Sequence, residues 1–265
     1  MAPPYCYRCP WGREVATCAR ECIDGVARTL EMEGPENVAA IMVEPISGAA
    51  GGFIPPEEYL PALRALCDAH GILLIVDEVM TGFGRTGRWF ACDHAGVVPD
   101  IVTMAKGITG GYAPLGAVGV SEKIAAYFDD EVLPTGLTSY GHPLSCAAGV
   151  AAIDVLEEEG LVARAATLEG RLLERLRDLQ DRHAVVDGVR AIGLYGVLEL
   201  VADRELRVPW EQDKVLRASL RRRGLHAAVR DARVFIAPPL VITESLLDEG
   251  MDLLDDALGE VAAQG

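Results

Sequence analysis

Three side chains in this sequence stand where they could act together. Asp77 and Glu78 follow one apolar run, Ile72 to Val76, and Lys106 follows another, Ile101 to Met104. Continuous apolar runs of this length read as strands covered on both faces in a parallel sheet. Ligands of such sheets bind at the carboxyl ends of the strands. An acid and an amine at that edge, both expected to be buried, suit a cofactor that needs an anion and an amine in one crevice. The same pair would also make a structural salt bridge, and spacing alone leaves both readings open.

Two further patterns deserve a chemical reading. Within DEVMTGFGRTG, Gly82, Gly84 and Gly87 spell G-x-G-x-x-G, a weak dinucleotide signal. Five residues separate Val76 from Gly82, and no amphipathic helix follows, so the glycines are expected to shape a tight loop. Arg85 and Arg88 would be available there for an anion, although surface arginines are usually only solvated. Near the start, Cys6, Cys9, Cys18 and Cys22 form C-x2-C and C-x3-C, spacing that on its own suits a small zinc site. Cys18 and Cys22 are also i, i+4 before Ile23 and Val26, which reads as one helix face. On that ground no metal site is expected.

The elements that position these residues follow from periodicity and turn signals. Residues 38–43 lean to a strand. Pro55 and Pro56 open a helix through His70, Gly71 stops it, and the strand ILLIV follows, giving a βαβ unit. After Lys106 another apolar stretch, Leu115 to Val120, precedes a helix from Ser121. Residues 143–181 read as long helix with a break near Gly160. Beyond it come a strand pair over 185–200, a helix at about 210–223, a strand pair across 225–237 and a last helix from Thr243. The fold class is α/β, a mostly parallel sheet over residues 1–160 with a smaller α/β domain over 161–265.

Composition narrows the partners. Forty acidic against twenty-four basic residues give a net charge of -16, which repels nucleic-acid backbones and anionic lipid surfaces. Neither nucleic acid nor membrane is an expected partner. The apolar runs are far short of the ~20 residues that span a bilayer, and MAPP is no basic leader. Seven cysteines, an odd number, with Cys67, Cys92 and Cys146 in apolar or helical settings, suit a reducing compartment, so a cytoplasmic location is expected.

Five ordered blocks carry a specific resemblance. They are VEPISGAAGG, ILLIVDEVMTGFGRTGRWFA, PDIVTMAKGITGGYAPLGAV, GLTSYGHPLSCAAG and the APPL that contains Pro238. In order and wording they resemble the C-terminal part of the class III aminotransferases, which depend on pyridoxal 5'-phosphate (PLP), and the resemblance covers essentially the whole chain. It implies the fold-type I architecture, with an incomplete large cofactor domain and a small C-terminal domain. It also implies that Lys106 forms the Schiff base with PLP and that Asp77 holds a proton on the pyridine nitrogen. By the same resemblance Val79 packs on a ring face, and Thr138 binds the cofactor phosphate of a neighbouring subunit in a homodimer. The reaction implied is ping-pong transfer of an amino group from an amine donor to a keto acid acceptor.

Departures from the family pattern sharpen these expectations. Ornithine- and GABA-type relatives carry a glutamate where this chain has Ala49 and an arginine where it has Phe235. The usual clamp for an α-carboxylate is therefore absent, and Arg230 is the nearest match to the arginine of relatives that pair ω-amino acids or amines with pyruvate. The family's serine- and glycine-rich phosphate loop and its ring-stacking aromatic lie upstream of the PYCYRCP segment and are not in this sequence. Two rival readings follow. One is an inactive fragment that needs a complementary N-terminal chain, and the other is a zinc module fused to a non-catalytic α/β domain.

Overall fold

The computed structural model describes residues 2–18 and 20–262, which divide into two compact units. The first comprises residues 1–83 and 88–160, and the second residues 84–87 and 161–265. No helix among the described residues is long and apolar enough to cross a membrane.

In the first unit the order is α1 (Glu21–Glu33), β1 (Ala40–Val43), a single turn α2 (Gly48–Gly51), α3 (Tyr59–His70), β2 (Leu73–Asp77), β3 (Ile101–Met104), β4 (Ala117–Val120), α4 (Glu122–Tyr127) and α5 (Pro143–Glu158). The helix expected from Pro55 begins at Tyr59. Pro56 instead supplies the carbonyl that accepts the Tyr59 N–H at 2.9 Å, closing a turn ahead of the helix. Gly71, at φ 66, caps α3 as its position after the last helical residue requires.

The sheet runs β1-β2-β3-β4. Its first three strands are parallel, with Ala40 opposite Leu73 and Asp77 opposite Thr103, and β4 returns antiparallel along β3. One face is closed by α1 and α3. Val26, Leu30, Leu60, Leu63 and Cys67 pack there on Ile41, Leu74 and Val76, and Leu74 and Val76 are fully buried. The expected burial of both faces does not hold. Leu73 and Ile75, which alternate to the other side, are half-buried, and Met42 is exposed. An unbroken apolar run cannot say which of its two faces is covered.

The second unit contains α6 (Leu161–Arg182), β5 (Val186–Ile192), β6 (Tyr195–Asp203), the two-residue β7 (Val208–Pro209), α7 (Asp213–Arg222), β8 (Ala228–Arg230), β9 (Arg233–Ile236) and α8 (Glu244–Ala262). Its antiparallel sheet runs β5-β6-β9-β8, with β7 on β6. Leu168, Leu172, Leu176 and Leu179 recur on one stripe of α6 and meet Leu198, Leu200 and Val234 of the sheet and Leu254 and Leu258 of α8. Beyond that core Arg171 grips Asp248 with two nitrogens, at 3.0 and 2.9 Å, tying α6 to α8.

Candidate active site

Asp77 is the last residue of β2, and Lys106 lies two residues beyond the end of its parallel neighbour β3. The register puts Asp77 beside Thr103, and the Glu78 N–H donates to the Thr103 carbonyl at 2.9 Å, so both reactive groups leave the sheet at its carboxyl edge. The Asp77 carboxylate is half-buried. Its Oδ1 accepts the Val79 N–H at 2.9 Å, which presets its orientation and fixes Val79, itself half-buried, directly behind it.

Lys106 departs from the expectation of a buried lysine: its side chain is exposed. The amine donates to Met80 Sδ at 2.6 Å, a weak acceptor. The backbone there stands at φ 45, a left-handed conformation that costs a non-glycine residue about 1–2 kcal/mol and is typical of functional positions. It opens a short helical turn, Lys106–Thr109, whose next residue can only be glycine. A Cβ on Gly107 would lie 2.8 Å from the Phe83 Cβ and 3.3 Å from the Gly82 carbonyl. The chain thus holds the lysine at the sheet edge by backbone packing.

The salt-bridge reading of this pair fails on geometry. Among the described residues neither Asp77 nor Lys106 takes part in an ion pair, and their contacts are the Val79 amide and the Met80 sulfur. A further polar group lies beside them. Among the described residues the Thr103 Oγ1 is buried with no hydrogen-bond partner. Periodicity did not single out Thr103 or Met80. The only sequence signal for Thr103 is a hydroxyl in an otherwise apolar strand.

Glu78, next in sequence to Asp77, does different work. It is fully buried, accepts from the Thr81 hydroxyl and takes the Cys92 N–H at 2.8 Å. Burial, with Glu78 second, pushes the Cys92 thiol up to about 12, so Cys92 is an inert packing residue. The glycine pattern shapes a loop, and the chain after Gly87 reaches only a short 3-10 turn, Ala91–Ala95. Arg85 is no anion receptor. Its guanidinium donates to the Leu194 and Pro238 carbonyls at 2.8 and 2.6 Å inside the second unit, and burial pulls it down to about 10. Sequence gave no sign of carbonyl partners more than a hundred residues away. Arg88 is exposed.

Thr138 lies in the first unit, in an exposed stretch without regular structure between α4 and α5. Arg230 lies in the second unit on the edge strand β8, exposed, with its guanidinium 5.0 Å from the centre of the Phe235 ring.

Comparison with known proteins gives this edge a family. The Aminotransferase class-III model matches residues 3–258. A leucine/methionine racemase from Thermococcus litoralis is 39% identical over 263 residues, covering 97% of this chain and 58% of that protein. An omega-aminotransferase from Caulobacter vibrioides is 40% identical, covering 90% of this chain and 55% of that protein. Among solved structures, an amine transaminase from an uncultivated Pseudomonas species in its PLP-bound form superposes with a TM-score of 0.93 at 38% identity, over 97% of this chain and 60% of that one. A taurine:2-oxoglutarate aminotransferase from Bifidobacterium kashiwanohense, in complex with PLP and glutamate, gives 0.92 at 42% identity over 97% and 60%. The chain spans about half the length of the curated relatives it matches. With a family model along nearly its whole length and the same fold in transaminases of known structure, the chain belongs to the class III aminotransferases and shares their fold-type I architecture.

Proposed function

We propose that the chain contributes the lysine-bearing edge of a PLP-dependent enzyme that moves an amino group from an ω-amino acid or amine to a keto acid such as pyruvate. The observation that carries this reading is an acid and an amine at the carboxyl ends of adjacent parallel strands, neither spent on an ion pair. These residues fit the cofactor. A primary amine is needed for its carbonyl and a carboxylate for its ring nitrogen, and the unpartnered Thr103 hydroxyl offers one more polar contact at the same edge.

When bound, PLP supplies a cationic ring that accepts the electron pair left when a proton leaves the substrate carbon. Asp77 would keep the proton on the ring nitrogen, since a carboxylate within hydrogen-bonding reach favours the charged form. Val79, fixed behind Asp77, would pack on the ring. Lys106 would first hold the cofactor covalently. Released by a donor amine, the Lys106 amine would be placed to take a proton from the carbon that bears the donor nitrogen and to return it within the site. Amino transfer in two half-reactions, with the amino group held in the site while the keto product leaves and the acceptor enters, would give ping-pong kinetics.

Thr138 is proposed to contact the cofactor phosphate of a second subunit in a homodimer, supported by its exposure and by the exposed Val132, Leu137, Tyr140 and Leu144 around it. Arg230 is the proposed contact for a substrate carboxylate. Its support is its position over Phe235, the residue that replaces the arginine of ornithine- and GABA-type relatives. A cytoplasmic location is supported by seven free cysteines.

The test is an amine-donor screen with pyruvate as acceptor, reading alanine and the keto or aldehyde product, alongside absorbance of the lysine-bound cofactor. Stoichiometric products with parallel double-reciprocal plots are expected. Cofactor binding without any amino transfer, or inversion of an amino acid without keto product, would overturn the proposed reaction.

A further inference from the structure

Backbone packing fixes where the Lys106 side chain starts, not where its amine ends. That side chain is long, flexible and exposed, so a further contact has to decide the position of the nitrogen. Among the described residues the amine makes one hydrogen bond, to the sulfur of Met80 in the loop after β2. A thioether is a weak acceptor, and it can place an amine only if it is itself held still.

Met80 is held from two sides. It lies in a turn closed by the Gly82 N–H on the Glu78 carbonyl at 2.9 Å. The buried Glu78 carboxylate braces the same turn, since it accepts from the Thr81 hydroxyl and is itself tied to the Cys92 N–H. Against the Met80 side chain stands Gly48, buried in the α2 turn, with its N–H given to Glu44 Oε2 at 2.8 Å. A Cβ on Gly48 would lie 2.9 Å from Met80 Cβ, 3.0 Å from its Cγ and 3.3 Å from its Cε. Those nearest atoms are all carbons, so Met80 lies along Gly48 by its hydrocarbon part and leaves the sulfur to Lys106.

Loops after three neighbouring parallel strands thus meet at one nitrogen. Glu44 and Gly48 follow β1, Met80 follows β2 and Lys106 follows β3. Methionine usually serves as an adaptable filler because its side chain rotates freely. Here a bare glycine and a braced turn press it into one conformation, with the sulfur toward the lysine.

We propose that Met80 is a positioning residue for Lys106: its thioether docks the lysine amine at the carboxyl edge of β2 and β3 before the cofactor carbonyl is engaged, and again once a donor amine has released it. No bond to sulfur forms or breaks, and only an N–H···S contact is exchanged. The thioether suits this task because it carries neither charge nor exchangeable proton. A carboxylate or imidazole at the same place would compete with Lys106 for the substrate proton, whereas sulfur gives up the amine at little cost. Holding the nitrogen near its working position preserves the alignment on which proton transfer depends. The proposal rests on the reading of Lys106 as the cofactor-bearing lysine.

The experiment observes Met80 directly, by carbon-13 NMR of protein labelled at its methionine methyls, with the Met80 signal assigned from Met80→Leu. In the cofactor-free protein that signal should move in Lys106→Ala, and it should move again in the unaltered protein when PLP is fixed to Lys106 by borohydride reduction. Met251, on α8, serves as the control signal and should stay. In single turnovers with an amine donor, Met80→Leu should slow proton removal roughly tenfold at saturation, with the half-saturating amine concentration unchanged. Gly48→Ala should reproduce that loss with the sulfur still present, and selenomethionine protein, which keeps an acceptor of the same geometry, should match the unaltered rate. A Met80 signal indifferent to both changes at Lys106, or a Met80→Leu rate equal to that of the unaltered protein, would overturn the role of Met80 alone. Survival of the lysine-bound PLP absorbance in Lys106→Ala would instead overturn the reading of Lys106 on which it rests.

Discussion

Gly193 offers a sharp test of how the loop after the candidate site is held. It sits at φ 53 in the two-residue turn between β5 and β6. A Cβ built there would lie 2.3 Å from the Thr86 carbonyl carbon and 2.6 Å from both the Arg85 carbonyl oxygen and the Gly87 nitrogen. All three are backbone atoms, so Gly193→Ala cannot be relieved by a rotamer change. The segment 84–87 must shift by about 1 Å, a displacement large enough to break close-packed contacts. That breaks the Leu194 N–H bond to Arg85 O at 3.0 Å, worth about 1 kcal/mol net, and loosens the two guanidinium bonds of Arg85, worth about 1.5–3 kcal/mol each. Left-handed strain adds about 1 kcal/mol. The expected loss is about 3–5 kcal/mol. Gly224→Ala is the control, because at φ 79 its Cβ would meet nothing within 4 Å. It should lose only the strain, about 1 kcal/mol. Urea unfolding followed by circular dichroism and by fluorescence of the buried Trp210 reads both variants. Equal losses would refute the close approach.

Three further outcomes are expected. Lys106→Ala should lower amino transfer roughly 10²- to 10⁴-fold and remove the absorbance of lysine-bound PLP, and survival of that band would mean another lysine is used. Asp77→Asn should retain the cofactor while slowing turnover by about 10²-fold or more, measured in single turnovers with a saturating amine, and an unchanged rate would remove Asp77 from the chemistry. Asp100 is raised by burial but lowered further by the Leu74 N–H and the Arg64 guanidinium, for a net depression. A depressed carboxylate stabilises the fold fully above its unfolded pKa, near 4, and loses that contribution as pH falls through the folded value. Acid titration should therefore show Asp100→Asn with a shallower fall in stability below pH ~4 than the unaltered chain, and parallel curves would refute this assignment.

The placement of Asp77 and Lys106 at one edge of the candidate site was legible because two apolar runs end at Asp77 and next to Lys106, and chain direction then fixes the edge on which they emerge. Other features were not legible, for physical reasons that differ. The exposure of Lys106 depends on what covers the sheet edge, and a periodic pattern cannot report that. Arg85 looked like a surface cation because its partners are the carbonyls of Leu194 and Pro238, 109 and 153 residues along the chain. Cys18 and Cys22 matched a helix period, yet one left-handed residue between them, Arg20, moved the helix start past Cys18. The mostly parallel order of β1, β2 and β3 followed from the βαβ pattern. The reversal at β4 did not, since its sequence is as apolar as its neighbours.

The membership of residues 84–87 in the second unit makes the chain cross between units three times. No single scissile position separates them. A recombinant piece beginning at Leu161 would leave the Leu194 and Pro238 carbonyls without their guanidinium and would leave a backbone-sized gap opposite Gly193. During synthesis the tetrapeptide is made long before its acceptors, so Arg85 must wait, solvated, until Pro238 has emerged. Limited proteolysis at Gly160 would accordingly yield two fragments that remain associated through four residues, and linker-based domain swaps at that point would transplant an incomplete unit.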